Sequence, residues 1–161
     1  MKVLPGDFAG ARGSARIPLS RALLNRIVAD ALAGTTTPVR SVDIRPLDGD
    51  RFDAVVTVTW PFVPPLTVSF HIDQQPAFPD SPILVFRWSF LGAVGAFASR
   101  LASSFDRLPD GIRIESDRLL LNLPLLVMQS PFAPMLGYVT AVAVHTVEGR
   151  AVVDVEVAVS E

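Results

Sequence analysis

Cysteine is absent from this 161-residue chain. Its absence removes a disulfide framework, thiolate metal sites and the commonest covalent nucleophile after serine. Histidine is scarce: His71 and His145 lie far apart in sequence with no carboxylates clustered about them, which gives a transition metal little to bind. Lysine occurs once, and the 13 arginines are spread along a chain of net charge −2, so no basic stripe exists to neutralise phosphates and no nucleic-acid partner is expected. No G-x-S-x-G is present. The glycine pattern at Gly92–Phe97 lacks the GK[ST] ending of a phosphate cradle, and its small residues suit close helix–sheet packing. No cofactor and no enzymatic activity are expected. The opening MKVLPGDFAGARGSAR has no apolar run long enough for a secretory leader, so the chain as written is expected in the cytoplasm.

What the chain does have is apolar side chain. Half of its residues are hydrophobic, only 19% are charged against a usual quarter or so, and mean hydropathy is +0.42. The length suits one domain, with residues 1–15 read as an irregular arm and 16–161 as a single α+β unit. The 26 residues from Leu119 to Val144 carry no charge. Pro124, Pro131, Pro134 and Gly137 interrupt them, so a continuous membrane-spanning helix is not expected.

Periodicity gives the order of elements. Ser20 is a good N-cap for an amphipathic helix whose stripe, Leu23, Leu24, Ile27, Val28, Ala31 and Leu32, ends at Gly34. Alternation then takes over: Val42 and Ile44, a turn at Asp48–Asp50, Phe52 to Trp60, a break at Pro61–Pro65, Leu66 to Ile72, and an all-apolar run at Ile83–Trp88. Helical spacing returns over Leu91–Leu108. Hairpins are expected around Glu115-Ser116-Asp117 and Glu148-Gly149-Arg150, the second joining valine-alternating strands. The expected fold is α+β: a long curved antiparallel sheet of about seven to eight strands around two amphipathic helices, in the order helix, strands, helix, strands.

Ser69, His71 and Asp73 share one strand face in a nucleophile–base–acid order. Such residues stand roughly 6.6 Å apart along a strand, whereas a working triad converges from separate elements, so they read as a solvated face. Glu115 and Asp117 read as turn residues.

The segments IPLSRALLNRIVADALAG and LPDGIRIESDRLLLNLPLL, with a closing hairpin turning at EGR, resemble the bacterial single-domain members of the tubular lipid-binding (TULIP-like) superfamily over Ser14–Glu161. The resemblance implies a hydrophobic tunnel between sheet and helices that accepts acyl chains. The expected function is therefore non-enzymatic binding of lipids or other long apolar molecules. Leu23, Ile27, Phe97, Leu101, Phe105 and Leu121 are the expected groove residues, with Phe132, Met135 and Leu136 as an apolar rim. The competing expectation is an interaction module whose apolar surface is buried in a homodimer or by a partner chain. Transient membrane contact is compatible with the first.

Overall fold

Alternating sequence becomes strand in the structure, a computed structural model that describes residues 9–90, 103, 108–128 and 130–160. In chain order the described elements are β1 (Arg12–Leu19), α1 (Arg21–Ala33), β2 (Val39–Leu47), β3 (Arg51–Val58), β4 (Leu66–Gln74) and β5 (Ile83–Phe90). They continue with β6 (Ile112–Glu115), β7 (Arg118–Asn122), α2 (Leu123–Val127), a 3-10 helix (Ala133–Tyr138), β8 (Val139–Val147) and β9 (Arg150–Ala158). The strands form two antiparallel sheets. One is six-stranded, ordered β2-β3-β4-β5-β7-β6 and curled into a half-barrel; the other is three-stranded, ordered β1-β9-β8.

The hairpin turns fall at the expected residues. Glu148 and Gly149, at φ of 51° and 72°, make a two-residue connection between Val147 and Arg150, and Gly49 and Asp50 hold φ of 75° and 59° after β2. Left-handed backbone at these positions matches the twist of the strands it joins.

Register sorts side chains by face, because directly opposed residues of an antiparallel pair point the same way. One face of the large sheet carries the rows Ile44–Ala54–Val68, Phe52–Phe70–Trp88 and Phe86–Leu119–Ile114, then Leu84–Leu121–Ile112. The opposite face carries Arg51–His71–Arg87–Arg118 and Asp53–Ser69–Ser89. The core sits at the end of the apolar face near β2 and β3, where Val39, Val56, Val58 and Val68 are buried beneath Leu32, Trp60, Val63, Phe70 and Trp88.

Helix α1 starts as its sequence requires. The Ser20 hydroxyl accepts the Leu23 N–H at 3.2 Å, satisfying one of the donors left open at a helix start. Its rotation differs from expectation. Leu23 and Ile27 are 37% and 51% exposed, while the half-buried line is Leu24, Asn25, Val28 and Leu32. The cause is polar. The Ile44 N–H donates to Asn25 Oδ1 at 2.6 Å and Asn25 Nδ2 donates to the Ile44 carbonyl at 3.4 Å, so the helix lies along the free edge of β2 with its asparagine where a strand would pair.

The architecture is broadly α+β, with corrections to the opening element, the number of sheets and the number of strands. The first described element is a strand rather than a helix: β1 reaches four residues into the segment expected to be irregular, pairing along its length with β9. There are two sheets rather than one, and nine strands among the described residues rather than seven or eight. The second helix expected over Leu91–Leu108 lies outside the described residues, apart from Ser103 and Leu108. Finally, Leu123 does not extend β7. The Asn122 side chain accepts the Leu125 N–H at 3.2 Å and Pro124 stands in the first turn, so α2 begins at Leu123, where the alternation of Leu119, Leu121 and Leu123 by itself would continue the strand.

Candidate functional site

The apolar face of the six-stranded sheet is the largest feature that the fold builds. Each strand contributes by the period-2 rule, and overlapping rows carry the face from β2 to β6. Two edge-to-face aromatic pairs stiffen it, Phe52–Phe86 at 5.7 Å and Phe70–Trp88 at 6.1 Å between ring centroids. Burial is uneven. Phe52, Ala54, Val56 and Val58 on β3 are buried, whereas Phe86, Ile112, Ile114, Leu119 and Leu121 toward β6 stay half-buried.

Of the nine expected groove residues, Leu121 lies in this face, opposite Leu84 and Ile112. Phe132 and Met135 are exposed at 64% and 54% and Leu136 is half-buried, all beyond the β7 end of the sheet. They are neighbours of α2, whose Leu125 and Leu126 are also exposed, as is Met128. Leu23 and Ile27 sit on the open side of α1. Phe97, Leu101 and Phe105 lie outside the described residues. Sequence reading missed Phe86, Leu119, Ile112 and Ile114, which share this face with Leu121. Their alternation was visible, but the pairing of β7 between β5 and β6 was not.

Two open hollows, of about 630 and 600 Å³, lie elsewhere, on the three-stranded sheet. Ser14, Arg16, Asp154 and Glu156 line the first, and Arg12, Thr140 and Glu156 are in the second. Neither includes an expected groove residue. Beside the first, Arg16 Nε donates to Asp154 Oδ1 at 2.7 Å and His145 Nε2 lies 3.2 Å from Asp154 Oδ2. The Arg16 hydrogen bond holds the Asp154 carboxyl below its usual range, partly opposed by desolvation, with His145 adding a smaller pull. All three groups are exposed or half-exposed; Arg16 stands directly opposite Asp154 and His145 is its diagonal neighbour on β8, which makes them a cross-strand clasp.

The Ser69–His71–Asp73 set has no converging geometry. The Ser69 hydroxyl donates to Asp53 at 2.7 Å, and Asp73 faces the guanidinium groups of Arg87 and Arg118 at 3.4 and 3.7 Å. Among the described residues no group of three or more His, Asp or Glu could hold a metal ion, and no helix is long and apolar enough to cross a membrane. No family model, curated protein or solved structure matches the chain.

Proposed function

We propose that the protein binds lipids or other long apolar molecules, without catalysis, along the apolar face of its curled six-stranded sheet. One observation carries the reading: the face extends across all six strands, yet Phe86, Trp88, Ile112, Ile114, Leu119 and Leu121 on β5, β6 and β7 are only half-buried, Leu84 alone among the large side chains there being buried. Ligand sites of this class are concave, mostly apolar and poor in charge. The curl of the sheet is compatible with that shape, its other face carrying the Arg51–His71–Arg87–Arg118 row, and the TULIP-like resemblance of the sequence points the same way. The exposed Phe132 and Met135 are then placed to contact a ligand at the β7 end, methionine being adaptable to differently shaped chains.

A second reading is favoured by β1, seven of whose eight residues are exposed, Ile17 among them. Such an edge offers pairing to a second copy, as an interaction module would require.

Native mass spectrometry of gently purified protein separates the two. Bound lipid at defined mass, released by Leu121→Trp with little change in thermal midpoint, is expected, since filling an existing void avoids the strain of overpacking. A ligand-free dimer would sink lipid binding and favour the module.

A further inference from the structure

At the tip of the β3–β4 hairpin, in the stretch Trp60–Pro65, Phe62 is fully exposed at 103%. It is also one of the few non-glycine residues here in the left-handed region, at φ 63°. A bulky side chain adopts that conformation at a cost, and such costs concentrate where a residue must be held in place. Here the holding is visible. Trp60 and Val63, on either side, pack against the buried valine cluster, Pro61, Pro64 and Pro65 restrict the remaining backbone, and the Thr59 N–H ties the base to the Pro38 carbonyl at 2.8 Å. The tip is rigid below and aromatic above.

The hairpin's own chain lacks charge. No ionisable residue occurs from Ala54 to Phe70, nor from Ala31 to Val39, the segment hydrogen-bonded to it. Asp53 and His71 lie at least about 15 Å back along the strands. Arg40, exposed beside Val39, stands at the base.

We propose that this tip docks the protein on a phospholipid bilayer, with Phe62 entering the interfacial layer and no requirement for anionic lipid. The shape selects the occupant. A stable protein interface needs roughly 800 Å² from each side, whereas one phenylalanine offers about 150–250 Å² on a convex point. A fluid bilayer accepts such a point anywhere on its surface, and aromatic side chains favour its interface. The two segments supply no basic cluster, so they give attraction to anionic headgroups no source. The docking stands apart from acyl-chain binding: the tip lies at the opposite end of the sheet from Phe132 and Met135, and either property can exist without the other.

The test is co-sedimentation of the full chain with phosphatidylcholine vesicles. Wild type should pellet equally in low and high salt and gain little from added phosphatidylserine. Phe62→Asp and Phe62→Gly should each lower partitioning by at least about ten-fold, since burying a phenylalanine in apolar surroundings contributes a decade or more. Phe62→Trp should retain it. Glycine suits φ 63°, so the Gly variant should unfold at a midpoint no lower than wild type, and its loss of pelleting then reports docking rather than misfolding. Equal pelleting of Phe62→Asp, pelleting abolished by salt, or a dimer that Phe62→Asp dissolves would each overturn the proposal. Uptake of a fluorescent fatty acid in vesicle-free solution should be unchanged by Phe62→Asp. If wild type takes up none yet pellets, the groove fails and the docking stands.

Discussion

Asn25 and Gln75 each present one donor and one acceptor in fixed geometry, and each sets both against a single edge residue. Asn25 does so for Ile44 of β2, and Gln75 for Val144 of β8, where Nε2 donates to the carbonyl at 2.7 Å and Oε1 accepts the N–H at 2.9 Å. A carboxamide thus replaces a strand at each edge. Beside Asn25, Asp43 gathers Arg21, Arg45 and the same amide, and the Arg21 hydrogen bond is the main force holding its carboxyl below the ordinary range, against an opposing desolvation. A carboxyl with a folded pKa below its unfolded value leaves the folded state with fewer bound protons, so it contributes stability above the unfolded value, near 3.8, that is lost as pH falls through the folded one. Asp154 acts with the same sign. Urea midpoints should therefore drop between pH 5 and about pH 3, and Asp43→Asn should flatten that drop while leaving part of the hydrogen bonding in place. An acid limb identical in the variant would assign the loss to other carboxylates.

Elements were legible where period and turn chemistry agreed. The Asp48–Asp50, Glu115–Asp117 and Glu148–Arg150 turns could be read because positive φ needs Gly, Asp, Ser or a tolerant neighbour, and the alternation of β3, β4 and β9 is long enough to name their faces. Between Leu119 and Val144 the pattern gives out. Leu119, Leu121 and Leu123 alternate, but one asparagine side chain decides that the last of them begins a helix, and a local hydrogen bond of that kind leaves no periodic trace. The rotation of α1 was hidden for a similar reason, since Asn25 counts as polar in any hydrophobic stripe yet sits on the covered side.

Helix α2 also explains Gly111. That residue holds φ 93°, and a Cβ there would stand 3.0 Å from Leu125 Cβ and 3.1 Å from the Asn122 carbonyl oxygen. Both backbone and space demand glycine. Gly111→Ala should cost more than about 1 kcal/mol by urea unfolding, because strain at positive φ outweighs the entropy gained. Faster hydrogen exchange at the Leu125 amide, which Asn122 caps, should accompany the loss; a variant as stable as wild type would mean that α2 moves aside freely.

At the scale of the molecule, the fold is two sheets that meet without sharing a ladder. The six-stranded sheet could be inferred in outline from its run of alternating segments, but the three-stranded one joins residues near the two ends of the chain, and no short-range signal specifies a pairing such as Arg12 with Ala158. The contact that replaces a ladder is made of side chains. Gln75 leaves the end of β4 to bond Val144, while Asp50 of the β2–β3 turn accepts the Thr146 N–H at 2.9 Å and its own N–H donates to the Thr146 hydroxyl at 2.7 Å. Val144 and Thr146 are both buried, so water cannot readily replace these partners. Gln75→Met keeps length and volume but removes donor and acceptor together, leaving a buried N–H and carbonyl at roughly 1–3 kcal/mol each before relaxation. Because the two sheets have no common strand, that loss should fall on one of them. Amide exchange in β8 and β9 should accelerate while the β3–β4 amides keep their protection, the three-stranded sheet then opening as its own unit. Combining Gln75→Met with Asp50→Ala should cost less than the separate effects summed, since the first change already frees the edge that the second would release. Equal acceleration in both sheets would instead mean that the molecule opens as one cooperative body across the junction.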